Sequence, residues 1–513
     1  MRSFSVKALG HLVVVMTALQ VGCASSDPGV PGSGGSGANP GSAGKTSSGG
    51  ATSTAGNGSA TAGAPSTAGS GVGGGVSPAG GSSAAGGSSA AGAGSGGSPS
   101  VAGGNAGGSV GTAGSGPVNP GTINWGKEED PTTAKCTVPA TLPGYADLKP
   151  DGKLPDPFLK LDGTRIKDKS EWACRRAEIL KQLTTYIYGD KPIPTKGSVT
   201  GTVSTTSISV KVTVGDKTAS FTATVDMNGA TAPAPAIISY GAGAAAPSGV
   251  AKITFTAIEA SGGSGAKTGP FYTIYGSDHK AGYMIAQAWQ VSRIIDLLEQ
   301  NPGVIDPYHV GLTGCSRNGK GAFAGGVFDN RIALTIPCES GIGGTPALRL
   351  KEQLDPGANS TAEWPYHAIS YVRWLSEANL GPFATANDAA GDNTDRLPVD
   401  MHEAMALIAP RGLYIVDNPG ITNLDPKSAY VTGMAGKAIF TALGVPDNFA
   451  YQGASGDHCV WRSQYDASLK AMVDKFLLGK DTTKTGNFAT DLGTKPATAT
   501  YYSWDTTELP GKL

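Results

Sequence analysis

Between Pro28 and Gly126 the chain carries a single charged side chain, Lys45, and from Ala24 to Asn124 it has no Phe, Trp or Tyr. Gly, Ser, Ala and Thr dominate instead, so this stretch has too little apolar surface to offset its own chain entropy. It is expected to be a flexible tether, residues 23–121, and its Gly-Gly-Ser and Ser-Ala-Ala-Gly recurrences are low complexity without a solenoid period. Folding is therefore left to residues 122–513, about 390 residues, which suits one large α/β domain with insertions or two smaller ones. Trp125 and the charges from Lys127 to Asp130 mark the change in composition.

The chain begins with Arg2 and Lys7 ahead of an apolar run from Leu12 to Leu19, then Val21, Gly22 and Cys23. That order reads as an export signal over residues 1–22, and the run is too short to span a bilayer. Cys23 has the surroundings of a bacterial lipoprotein cleavage site, which makes it the expected lipidation position and the sole membrane attachment. A formal net charge of −1 leaves no basic footprint for nucleic acid. An exported, monomeric, extracellular or outer-surface protein is expected.

Helical apolar spacing predicts helices over Glu171–Tyr188, Gly282–Gln300, Gly319–Phe328 and Met434–Gly444. Alternating or continuous apolar runs predict strands at Ser207–Val214, Ala219–Val225, Ala234–Tyr240, Tyr308–Gly314, Ile332–Pro337 and Gly412–Asn418, with a last one at Asn448–Gly453. Strand and helix alternate in the C-terminal half. A mostly parallel sheet flanked by helices on both faces, a three-layer sandwich, follows. Ligands of such sheets sit beyond the carboxyl ends of the strands.

The stretch Gly314–Ala322, "GCSRNGKGA", fits two chemistries. Its G-x-x-x-x-G-K spacing is that of a phosphate loop, but the magnesium-binding Ser or Thr that should follow the lysine is Gly321. Its Ser316, between a strand and a helix of small residues, has the setting of a nucleophile. An α/β-hydrolase needs an acid and then a histidine later in the chain. Of six histidines, His458 in "GASGDHCVW" lies directly after the last predicted strand, where the base belongs.

The six cysteines, at 23, 136, 174, 315, 338 and 459, match no zinc spacing. With Cys23 lipidated, five remain, enough for two disulfides and a free thiol. Cys315 precedes Ser316 and Cys459 follows His458, so a Cys315–Cys459 bridge would tie nucleophile to base. Two acids are open as the third member: Glu339, after the strand ending at Pro337, and Asp417, at the usual strand-end position. Arg317 supplies a backbone N–H and a guanidinium for an oxyanion, and Lys320 adds a second cation near a helix start that disfavours idle positive charge. Together they suit a substrate rich in polar oxygens.

The segment "GLTGCSRNGKGAFAGGVFDNRIALTIPCESG" (311–341) closely resembles the nucleophile region of glucuronoyl esterases, carbohydrate esterase family 15. The "WACRRAEIL" helix and "LIAPRGLYIVDN" (407–418) resemble it too, so the likeness covers about residues 135–480. The resemblance implies an α/β-hydrolase fold with Ser316 as nucleophile, His458 as base and Glu339 as acid, with Asp417 in reserve. It also implies Arg317 at the oxyanion, Lys320 on sugar hydroxyls, and Cys136–Cys174 beside Cys315–Cys459. Glu363 and Trp364 stand where sugar-contacting residues are expected. The sequence departs from the fungal pattern where Asn423 replaces a Trp and where Cys338 is extra.

The implied reaction is hydrolysis of the ester between a (4-O-methyl-)glucuronic acid side group of glucuronoxylan and a lignin alcohol, through an acyl-enzyme without metal or organic cofactor. The rival readings are another carbohydrate esterase, of the acetyl-xylan type, and a non-catalytic carbohydrate-binding lipoprotein.

Overall fold

The computed structural model describes residues 136–256, 266–355, 362–370, 372–384, 393–480 and 484–513. The expected leader, Cys23, and the low-complexity segment lie outside the described residues. Among the described residues ten strands form one sheet: β1 (Val199–Val203), β2 (Ser207–Val214), β3 (Lys217–Asp226), β4 (Ala234–Ser239), β5 (Ala251–Thr254), β6 (Ile305–Cys315), β7 (Ile332–Cys338), β8 (Gly412–Asp417), β9 (Phe449–Gly453) and β10 (Phe488–Thr490). Their order is β1-β2-β3-β5-β4-β6-β7-β8-β9-β10. β1, β2, β3 and β5 pair antiparallel, and from β5 through β10 every pair is parallel. The composition explains the split. β2 and β3 alternate buried and exposed residues as a half-solvated sheet does, whereas β7 and β8 are buried at every position.

Six helices of eight residues or more accompany the sheet among the described residues: α1 (Trp172–Leu183), α2 (Tyr283–Gln300), α3 (Arg317–Phe328), α4 (Met401–Ile408), α5 (Pro426–Ala442) and α6 (Asp466–Phe476). Successive strand residues feed opposite layers. Leu413 and Ile415 of β8 join the larger apolar cluster with residues of α1 to α5, while Tyr414 and Val416 join a second cluster with Leu469, Met472, Val473 and Phe476 of α6. This is the α/β-hydrolase arrangement that the sequence predicts.

The paired arginines of the α1 motif have a structural use. Arg175 bonds Glu403 of α4 at 2.8 Å, and Arg176 bonds Asn330 at 3.1 Å and the carbonyl of Leu407. They lock the first helix to the layer behind β7 and β8.

Several predicted boundaries shift. The Glu171–Tyr188 helix ends at Leu183, and Thr184–Tyr188 forms one wider π turn before Gly189, where two β-branched threonines weaken the α-helical ladder. The Met434–Gly444 helix begins at Pro426, with Asp425 accepting from the Ser428 N–H as its cap. Asn448–Gly453 is not the last strand, because β10 pairs beside it.

Candidate active site

The turn from β6 into α3 holds Ser316 at φ 60 and ψ −128, a conformation that strains a residue with a Cβ. Three of the six non-glycine residues with positive φ among the described residues are Ser316, Glu339 and Cys459. Such strain collects where function fixes the backbone. The flanking glycines are steric requirements of this elbow. A Cβ on Gly314 would lie 2.3 Å from the Asn318 carbonyl oxygen, and one on Gly319 would lie 2.3 Å from that of Cys338. The phosphate-loop spacing is thus accounted for by close packing. At position 321, where that loop needs a hydroxyl, a Cβ would fall 1.7 Å from Gln287 Oε1.

His458 lies in the loop after β9 and is 42% exposed. Its Nδ1 is 2.7 Å from Glu339 Oε2, which also accepts from the Cys459 N–H at 2.9 Å. Arg462 Nη1 donates to Glu339 Oε1 at 3.2 Å and to the Tyr465 hydroxyl at 3.0 Å. Burial works against ionisation of Glu339, yet the bonds from His458, Cys459 and Arg462 outweigh it and hold its carboxyl below the usual value. A carboxylate on Nδ1 directs Nε2 away as the free base.

The Cys315–Cys459 disulfide forms, with Cα atoms 5.7 Å apart, and ties the neighbour of the serine to the neighbour of the histidine. Cys136–Cys174 also forms, leaving Cys338 as a buried thiol. Among the described residues no hydrogen bond joins Ser316 to His458. Such nucleophile–base contacts commonly tighten only around substrate.

Asp417 goes elsewhere. Its Oδ2 accepts from the Tyr451 hydroxyl at 2.7 Å, and burial pushes its pKa up to about 6. The other described histidines have their own partners: His309 bonds Asp306, His402 bonds the Pro155 carbonyl, and Nδ1 of His279 and of His367 accepts from the Ala281 and Trp364 N–H groups.

Lys320 is 1% exposed. Its ammonium donates to the Ser340 carbonyl at 2.5 Å and to Glu363 at 2.7 Å, and lies 4.2 Å from the ring centre of Trp374. Burial draws its pKa down while Glu363 opposes the shift. The structure therefore brings Glu363 to Lys320 but not Trp364, which is 4% exposed and covered by the Lys351 ammonium 3.9 Å from its ring. Trp374 and Arg462 are the site neighbours that sequence reasoning missed. Both act through side-chain packing, for which no spacing gives a signal. Arg317 opens α3 and is exposed.

Among the described residues, Cys315, Glu339, His458 and Cys459 could gather around a metal ion, but the disulfide leaves no thiolate to bind one.

A family described as fungal glucuronyl esterase matches residues 210–444. The 4-O-methyl-glucuronoyl methylesterase of Schizophyllum commune is 39% identical over 355 residues, covering 67% of this chain and 87% of that protein. The crystal structure of a glucuronoyl esterase from Sporotrichum thermophile aligns with a TM-score of 0.65 at 38% identity, over 71% of this chain and 97% of that one. A mutant of that enzyme, in complex with methyl 4-O-methyl-β-D-glucopyranuronate, aligns with a TM-score of 0.64 at 37% identity, over 72% of this chain and 97% of that one.

Proposed function

The chain belongs to the glucuronoyl esterases, carbohydrate esterase family 15, and on that premise we propose how its own residues cleave the ester. It is a carboxylic ester hydrolase acting on esters of glucuronic acid. Ser316 attacks the uronyl carbonyl while His458 Nε2 takes the hydroxyl proton. Glu339 keeps the imidazole in the tautomer that leaves Nε2 free and stabilises the imidazolium that forms. The Arg317 backbone N–H, at the first turn of α3, and its guanidinium receive the developing oxyanion.

His458 then hands its proton to the leaving alcohol, a uronyl ester of Ser316 forms, and water releases the acid by the same steps. An ammonium has three N–H donors, and Ser340 and Glu363 take two of those on Lys320. The third, with Glu363, meets hydroxyls of the sugar ring. No metal or organic cofactor enters these steps.

The single observation that carries this reading is the 2.7 Å contact of His458 with Glu339, in a loop held to the serine's turn by Cys315–Cys459. The substrate we infer is the ester between (4-O-methyl-)glucuronic acid side groups of glucuronoxylan and lignin alcohols. The working form we infer is a monomer outside a bacterial cell, lipidated at Cys23 and carried on the tether of residues 23–121. Two disulfides favour such an oxidising setting.

Hydrolysis of benzyl glucuronate, beside an acetyl ester with the same alcohol, tests the reading. The full chain should turn over the glucuronate ester with a burst of alcohol, and Ser316→Ala should lower kcat by about 10³-fold or more. Turnover of the acetyl ester alone would make the chain a deacetylase. Silence on both would favour a binding protein.

A further inference from the structure

Cys338 has no part in the hydrolysis above, yet strand pairing sets it beside a sulfur that does matter. Cys315 and Cys338 are register partners on β6 and β7. Parallel neighbours stand about 4.8 Å apart, inside the Cα–Cα range of roughly 4.4–6.8 Å over which a disulfide closes. Both side chains lie on the α6 face of the sheet, in one apolar cluster against which Cys459 also packs. Thr313, two residues before Cys315 and so on its face, has Oγ1 3.8 Å from Cys338 Sγ. All three cysteines line a single cleft with Val416, Val460 and Tyr465. Cys315 thus has two partners in range, one across the site and one beside it in the sheet.

We propose that the covalent tie between the loops of Ser316 and His458 is exchangeable, with Cys338 as the thiol that displaces Cys459 from Cys315 and switches the esterase off. The Cys338 thiolate attacks Cys315 Sγ. The Cys315–Cys338 bond forms, the Cys315–Cys459 bond breaks, and Cys459 leaves as a thiolate that takes up the proton Cys338 gave to solvent. The exchange is redox-neutral and needs no oxidant or reductant. Cys459 holds a strained φ of 61 and gives its N–H to Glu339, so its release removes the anchor that keeps His458 in place.

The surroundings of Cys338 set the rate. Burial pushes its thiol up to about 12; the Thr313 hydroxyl opposes the shift and the Glu339 charge adds to it. Tyr414 from β8 and Tyr465 face the same space, and burial raises both, so neither is charged near neutrality. Arg462 faces Glu339 from the other side. The thiolate is scarce at pH 7, and exchange should quicken about tenfold per pH unit.

The test incubates the full chain at about pH 7 and about pH 9.5, quenches with acid, alkylates free thiols and maps the disulfide-linked peptides. A Cys315–Cys338 peptide with alkylated Cys459 should accumulate roughly 300-fold faster at the higher pH, with activity on benzyl glucuronate falling in step. Cys338→Ala, or Cys338→Ser should the alanine fail to fold, should show neither change. The inference is overturned if Cys315–Cys459 persists as the sole bridge of Cys315 at the higher pH, or if the Cys338 variants lose activity as fast as the parent. Only the functional readout rests on the esterase reading; the peptide map stands without it.

Discussion

Glu339 directly follows β7 and Asp417 ends the adjacent parallel strand β8, and each is 2% exposed. Their acidities nevertheless move in opposite directions, Glu339 down and Asp417 up to about 6. Burial raises both, so the difference lies in the donors. Glu339 receives an imidazole, a backbone N–H and a guanidinium, whereas the side chain of Asp417 receives chiefly one tyrosine hydroxyl. A strand-end carboxylate thus becomes a charged partner where a loop brings several donors over it. The disulfide decides which strand that is. The loop after β9 is tied to Cys315 on β6, and β7 is the strand next to β6, so His458 comes down over Glu339 and passes Asp417 by.

The largest effect expected from this contrast is on catalysis. Glu339→Gln keeps the shape but removes the charge that fixes the imidazole tautomer, and kcat on benzyl glucuronate should fall by about 10³- to 10⁴-fold. Asp417→Asn should change it by less than about threefold, because its carboxylate bonds Tyr451 and not His458. Steady-state rates of the two single variants and the double variant would separate the acids. A severe loss in Asp417→Asn, or a mild one in Glu339→Gln, would reverse their assignment.

Arg462 sharpens the comparison by removing one donor. In Arg462→Met the Glu339 carboxyl keeps His458 and the Cys459 N–H but loses its cation, so its pKa should rise toward the ordinary value. A depressed carboxyl is ionised at high pH and loses its charge as pH falls through its folded value. The acid limb of the pH–rate profile should therefore move to higher pH, with kcat at neutral pH changed little because the carboxyl stays ionised there. An unmoved limb would show that Arg462 serves packing alone.

Most of what positions the site was legible because it is local. The strand-turn-helix around Ser316, the apolar runs of β7 and β8, and the histidine after β9 each carry their own pattern. The Cys315–Cys459 bridge followed from two chain neighbours. What escaped has no such pattern. α4 is buried at all eight positions, so its residues show no amphipathic period, although Asp400 and Glu403 form the capping box that starts it. β5 and β10 have four and three residues, too short for alternation to register. Trp374 meets Lys320, and Arg462 meets Glu339, only through tertiary packing. Trp364 misled because its place in the chain gives no sense of which way the indole faces.

The smallest expected effect on activity comes with a distinct signature in stability. The ordinary value for Asp417 is 3.8, and burial raises it to about 6 in the folded chain. The folded state therefore binds this proton more tightly than the unfolded state does. Stability from that difference is present in full below about pH 4 and is lost as pH rises through about 6. Two units correspond to about 3 kcal/mol as an order of magnitude. Asp417→Asn cannot ionise and can still accept from Tyr451, so it should escape the loss. Other groups titrate over the same range, which makes the difference in Tm between parent and variant the informative quantity. It should be small at pH 4 and grow by several degrees in favour of the variant by pH 7. A difference that stays constant across this range would mean that Asp417 ionises as freely inside the fold as outside it. The contrast with Glu339 would then rest on position alone and not on charge.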